Sequence, residues 1–452
     1  MVPNRPDSED FRRLARLAVP VALVQVGLMA MGVVDTMFVG RISSTALAGV
    51  AVGSLVVFAL GTFGMGLLLA VEPVISQAIG AGDRVAISRA FQRGLALALV
   101  LGALSAVTLA PVGALLRACG QSEALIAVAT PFVHVQMPSM VAFYLFVLFR
   151  QVLQAHGHTR PIVVTIVLAN LLNAGLDWVL VFGHLGAPAM GTLGSGIATS
   201  ISRGVMATLL LALSWSQLRP LFAWRSDALQ WRPLLRLLLI GLPIAVQYVL
   251  EYGVFAAVAL LMGRIGDVPL AAHQIAINIA SLTFMVPLGV SSAGSVLVGR
   301  AVGAGDGPGA RRAGLAAIVA GVAFMALSAL VLLALPRLLA RAYTPHAAVI
   351  DMAAALIPIA GVFQVFDGLQ VVCIGVLRGT GDTRAPLVLN LVGYWVLAFP
   401  LGLWLGFRAG WGPAGLWWGL TVGLAAVGLA LLARVRVRLW GPLERLRMEE
   451  HA

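Results

Sequence analysis

Five carboxylates stand where a lipid-crossing chain has least reason to keep them. Asp35, Glu72, Asp177, Glu251 and Asp367 lie inside long apolar stretches, while most of the 18 acidic residues fall in loops or near the ends. A charge at the bilayer centre costs about 2.5–3.5 kcal/mol on insertion scales, so each needs a partner or a task. At 1.5 Å per helical residue, Asp35 lies about 9 Å before Arg41 and Asp177 about 26 Å beyond Arg160. Both therefore sit in the outer half of the membrane. Asn173 and Asn170 precede Asp177 by four and seven residues and share its helical face. A carboxylate pair with amide oxygens suits a hard cation such as Na+, or a shared proton.

A second set gathers near mid-membrane. Glu251 is about 20 Å from Arg264, and Asp367 about 17 Å from Arg378. Gln247 and Tyr248 share the face of Glu251, Gln364 and Gln370 flank Asp367 at three residues, and Asn278 and Gln274 can complete the group. These spacings turn one polar face toward protein or water, a setting for a cation, a proton or a cationic substrate. Glu72 and Arg203 fall at similar depth, about 17 Å from Asp83 and about 14 Å from Gly194. They form a candidate structural pair; the alternative is that Glu72 lines a transport cavity.

These residues need helices to hold them. The chain is 60% hydrophobic and 11% charged, with mean hydropathy +0.98, against about 25% charged in a soluble domain. Twelve apolar stretches are near the roughly 20 residues that cross hydrocarbon: 14–39, 45–72, 88–114, 124–149, 161–183, 191–215, 234–262, 268–298, 312–335, 347–376, 385–407 and 412–433. The fold class read from them is an all-α integral membrane protein. The first stretch is too long for a signal-peptide core and has no A-x-A site. The net charge of +12 does not point to nucleic acid. All 30 basic residues are Arg, and most fall on one side, as in Arg84, Arg89, Arg93; Arg219, Arg225, Arg232, Arg236; and Arg434, Arg436, Arg438, Arg445, Arg447. That positive-inside pattern places both termini in the cytoplasm.

The chain also repeats itself. "GRISSTALAGVAVG" from Gly40 parallels "GRIGDVPLAAHQIA" from Gly263, and "SQAIGAGD" ending at Asp83 parallels "GRAVGAGD" ending at Asp306, both at an offset of 223. "LQAHGHTRP" from Leu153 parallels "LRGTGDTRAP" from Leu377 at 224. Six crossings per repeat give both halves one topology, so the expected architecture is two six-helix lobes related by a pseudo-two-fold along the membrane normal. The expected divisions are an N-terminal segment 1–13, an N-lobe 14–215, a linker 216–233, a C-lobe 234–433 and a tail 434–452. The acids are not duplicated: Asp35 maps to Val258, Glu251 to Leu28, Asp367 to Phe143 and Asp177 to Leu401. Such asymmetry suggests specialised sites rather than inherited bracing.

Other polar residues read more simply. His156 and His158 mark a turn, with no third metal ligand in view. "GTLGSGIATS" fits close helix packing and lacks the Lys-Ser/Thr of a phosphate loop. Neither H-E-x-x-H nor G-x-S-x-G occurs, so no enzyme and no cofactor are expected. Cys119 and Cys373 fall near opposite membrane faces, which argues against a disulfide.

Taken together, these residues resemble the multidrug and toxic compound extrusion (MATE) family, in its NorM- and DinF-like branches. The resemblance runs from the first apolar stretch to the twelfth. It rests on "VVDTMFVG", "EPVISQAIGAGD", "LQAHGHTRP", "NAGLDWVLVFG", "EYGVFAAVALL", "AAHQIAIN", "VLVGRAVGAGD" and "FDGLQVVCIGVLRGTGDTRAP". It implies a secondary active antiporter of a bacterial inner membrane that exports organic, often cationic, compounds in exchange for Na+ or H+ by rocker-switch alternating access. It further implies that Asp35, Asn173 and Asp177 match the first-lobe cation or proton site, and that Glu251 and Asp367 match the second-lobe acids of the sodium-coupled NorM-like branch. Many NorM-like members carry Asn where this chain has Asp177, whereas archaeal and DinF-like members carry Asp, so Na+ and H+ both stay open. Partners are expected to be small molecules and the bilayer, and the chain is expected to be a monomer. The rival reading is a flippase for a lipid-linked saccharide on the same two-lobe plan, which would favour cationic cavity residues over the acids found here.

Overall fold

Apolar runs inside a bilayer can satisfy their backbone groups within one segment only as helices, and helices are what the described residues form. The computed structural model describes residues 5–446 and Met448; the first four residues, Arg447 and the last four lie outside the described residues. The principal helices are α1 (Ser8–Val39), α2 (Ser44–Gly80), α3 (Arg84–Leu109), α4 (Glu123–His134), α5 (Ser139–His156), α6 (Arg160–Phe182), α7 (Thr192–Leu213), α8 (Trp231–Ile265), α9 (Asp267–Gly303), α10 (Gly307–Ala334), α11 (Ala347–Gly379), α12 (Arg384–Arg408) and α13 (Gly412–Trp440). Eleven of them are long and apolar enough to cross a membrane, and α4 with α5, bent by 55°, make a twelfth crossing. Pro131 and Pro138 stand at that bend, where each ring removes a backbone donor. The described residues are all-α, with eleven membrane-length helices and the bent pair completing twelve.

Helix ends overrun the apolar stretches. α1 begins at Ser8 within the expected segment 1–13, α8 begins at Trp231, and α13 continues to Trp440, into the first residues of the expected tail. Hydropathy stops where arginines begin, but an arginine is a good helix former whose stem lies along apolar surface while its head reaches water.

The repeated motifs prove to be turn and cap chemistry. Gly82 and Gly305 have φ of 68° and 72°, a left-handed conformation that costs glycine nothing. The following residues, Asp83 and Asp306, cap α3 and α10 by accepting from Ala86 N and Gly309 N. The halves also share the short helices Val112–Ala118 and Pro336–Arg341 ahead of their fourth crossings.

Contacts group the chain into two compact units whose bounds do not coincide with 14–215 and 234–433. Among the described residues, one joins those up to Ala22, Ser76–Gly82 and 246–446; the other joins Leu23–Ile75, Asp83–Ala245 and Met448. Within the first unit the end of α2 crosses the end of α9 closely. A Cβ at Gly80 would collide with the Arg300 carbonyl, and one at Gly303 with the Gln77 carbonyl. These four positions are repeat equivalents, so the crossing is reciprocal. Gln77 ties this end of α2 to α11 and the C-terminal segment, its Nε2 donating to Gly379 O at 2.9 Å and its Oε1 accepting from Leu446 N at 2.7 Å. The core of this unit holds Phe363, Tyr394 and Trp417 at one end and Val298, Cys373 and Leu439 at the other. The second unit buries Phe91, Tyr144, Phe146 and Leu148.

Candidate ion and substrate sites

In the second unit, α1, α6 and α7 bring one polar cluster together. Asn173 and Asp177 are four residues apart on α6 and both fully buried. The Asn173 amide Nδ2 donates to Asp35 Oδ1 on α1 and to Asp177 Oδ2, the latter at 3.0 Å. One amide thus clamps two carboxylates. Thr199 on α7 donates to Asp35 Oδ2 at 2.9 Å or to Ser195 O at 3.0 Å; its single proton serves one at a time. Three buried oxygens at this place make no close hydrogen bond, Asn173 Oδ1, Asp177 Oδ1 and Ser195 Oγ, and the Ser195 hydroxyl lies near the Asp177 carboxyl. Carboxylates held this close repel each other, and a shared proton or a small hard cation removes that repulsion. The donor set is all oxygen, which fits Na+ or H+.

Asn170 is not part of the cluster. Its Nδ2 turns back to Ile166 O on its own helix at 2.8 Å. Sequence reasoning missed Thr199 and Ser195, which lie in "GTLGSGIATS". That stretch does pack closely, with Gly194 against the Leu180 carbonyl and Gly196 against Val135. Its Ser195 and Thr199, four residues apart on an apolar helix, carried the missed signal.

Glu72 and Arg203 do not make the expected pair. Arg203 donates to Ser139 Oγ at 3.4 Å and reaches Met140 Sδ at 3.8 Å, and its guanidinium lies 5.4 Å from the Phe143 ring centroid. Glu72 is fully buried near the start of the last segment of α2 and has interactions of its own. Equal depth put the two side by side in sequence; the azimuth of Arg203 on α7, toward α5, separates them.

In the first unit, α8, α11 and α12 assemble the second acidic group. Phe255, one turn beyond Glu251, packs 6.0 Å from Phe363, one turn before Asp367, and 6.2 Å from Tyr394. That three-ring packing brings Glu251, Asp367 and Tyr394 within electrostatic reach of one another. Trp395 Nε1 donates to Leu250 O at 3.1 Å and ties α12 to α8 beside Glu251. Behind them runs a polar chain in which Tyr394 OH donates to Gln370 Oε1 at 2.8 Å and Gln370 Nε2 to Asn390 Oδ1 at 3.3 Å. Tyr394 sits in a π-helical stretch, Leu391–Ala398, a wider coil often found at functional positions. Neither Tyr394 nor Asn390 was singled out from sequence.

The remaining expected members divide. Gln364 is buried and accepts from Thr283 Oγ1 at 2.8 Å. Gln247 is buried on α8, and Tyr248 is half-buried with interactions of its own. Asn278 and Gln274 are exposed on α9, and Asn278 makes no hydrogen bond among the described residues. His273 is buried instead, its ring 5.6 Å from Trp417.

A description of the MatE family matches residues 20–179 and again 243–404. The two matched segments start 223 residues apart, which is the repeat offset. The chain belongs to the MatE family. Among its relatives, a probable multidrug resistance protein NorM of Mesorhizobium japonicum is 40% identical, with 94% of this chain and 93% of that one aligned. The multidrug resistance protein NorM of Burkholderia vietnamiensis is 37% identical over 94% and 93%, and MdtK of Edwardsiella ictaluri 33% over 94% and 95%. The fold matches the Vibrio cholerae MATE transporter VcmN in its bent form (TM-score 0.85, 22% identity, 96% and 97% covered). It equally matches the eukaryotic MATE transporter AtDTX14 (0.85, 22%, 95% and 96%). This MatE-family chain is a multi-pass membrane protein of bacterial kind.

Proposed function

We propose that this MatE-family protein is a secondary active antiporter that exports organic, often cationic, compounds in exchange for Na+ or H+. One observation carries the reading most: a single buried amide, Asn173, clamps Asp35 and Asp177 with acceptor oxygens left over. The names of the NorM and MdtK relatives, multidrug resistance proteins, agree with it.

The residues divide the work as follows. Asp35, Asn173 and Asp177, with Thr199 and Ser195, take up the coupling ion. Glu251 and Asp367, with Gln247, Tyr248 and Asn278, take the cationic substrate or a second ion. Both termini face the cytoplasm, where the membrane potential favours cation entry by about 2.3 kcal/mol per charge per 100 mV. Two lobes, 14–215 and 234–433, alternate access about the linker 216–233, and the protein works as a monomer. Ion and substrate must differ in affinity between the two conformations, or nothing is driven.

The test is dye efflux from proteoliposomes under separately imposed sodium and proton gradients. One gradient should drive efflux, and Asp35→Asn should abolish that ion's effect. Efflux under neither gradient, or an unaltered ion dependence in the variant, overturns the proposal.

A further inference from the structure

The segment joining α7 to α8 has chemistry that ion exchange does not use. It leaves the end of one membrane-crossing helix and enters the next, so chain continuity holds it at a membrane surface. α3 fixes it there. Gln92 Nε2 donates to Leu221 O at 3.0 Å and Ala223 O at 2.6 Å, and Gln92 Oε1 accepts from Arg225 N at 3.1 Å. Arg93 Nε donates to Ala228 O at 2.7 Å. Phe222 packs inward, 4.9 Å from Phe91.

With its backbone held from one side, the segment shows its side chains on the other. Trp215 is 47% exposed, Trp224 71% and Trp231 67%. Between and beside them stand Arg219, Arg225 and Arg232, whose guanidinium groups make no hydrogen bond or ion pair among the described residues. The single acid of the segment, Asp227, is already engaged by Arg89. That hydrogen bond holds its carboxyl below the usual carboxylate range, so it is charged at neutral pH and used up locally. Arg219 and Arg232 are thus left without an anion among the described residues, while Arg225 stands near Asp227, whose hydrogen bond goes to Arg89.

We propose that residues 215–232 form a docking surface for anionic phospholipid headgroups of the surrounding bilayer. Indoles favour the headgroup level, and guanidinium groups match phosphate oxygens two at a time. Arginines serving only as a topology signal would need neither the fixed backbone nor the interleaved indoles. The inference is independent of what the protein transports.

The test uses the full chain in neutral detergent, with retention of phosphatidylglycerol and of phosphatidylcholine measured by native mass spectrometry. R219Q/R225Q/R232Q should lower phosphatidylglycerol retention about tenfold or more, since each surface charge is worth roughly fivefold, and leave phosphatidylcholine unchanged. The matching Lys variant should keep most of it. Raising KCl should weaken it, and millimolar inorganic phosphate should not compete. Equal phosphatidylglycerol retention in the Gln variant, equal loss in R12Q/R13Q/R16Q, or displacement by inorganic phosphate overturns the proposal. If the triple variant does not fold, R219Q and R232Q singly decide: an unchanged lipid ratio in both sinks it.

Discussion

Asn173 is the residue on which the first cluster turns, because its one amide serves two carboxylates. Asn173→Ala leaves buried Asp177 and half-buried Asp35 each short of a donor, a loss of about 1–3 kcal/mol for an unmet buried group. Export should fall by tenfold or more and its ion dependence should shift; efflux assays across sodium and pH series check this, and a parental profile would refute the clamp. Helical spacing put Asn173 and Asp177 on one face of α6, and Asp35 meets them from α1. Depth could not say which way Arg203 faces. Because Arg203 meets Ser139, Met140 and Phe143, a Glu72→Gln and Arg203→Gln double-mutant cycle should give a coupling within about 0.5 kcal/mol of zero. Thermal unfolding in detergent measures it, and rescue in the double variant would restore the pair.

At the scale of elements, helices meet where side chains are smallest. The α2–α9 crossing leaves no room for a Cβ at Gly80 or Gly303. Gly303→Val should cost about 1–3 kcal/mol as overpacking, seen as a lower melting midpoint in detergent, while Gly307→Ala, which meets open space, should change little. Equal effects would mean that the crossing is loose. The "GAGD" repeats signalled these ends in sequence, through left-handed glycines and aspartate caps, but not that one end lies against the other. Similarly, the bend between α4 and α5 follows from Pro131 and Pro138, whereas the π-helical stretch that presents Tyr394, with Gly393 inside it, sits in an apolar run that reads in sequence as ordinary helix.

For the molecule as a whole, the two acidic groups should be separable in function. Glu251→Gln and Asp367→Asn should each lower export of a cationic dye severalfold with expression intact, and unchanged efflux in both would remove the second group from the mechanism. The sequence by itself determined the class: apolar length forces helices, arginine-bearing turns delimit them, and a constant offset reveals the duplication. It also named the five acids within apolar runs, because an ionisable residue there is conspicuous in one dimension. Only the tertiary structure decided their company. Asn173 rather than Asn170 binds the carboxylates, Thr199 joins from another helix, and Tyr394 and Asn390 extend the second group. Spacing along a chain fixes the face a residue shares with its own neighbours, but the angle at which that face meets another helix is set by packing distributed over many residues.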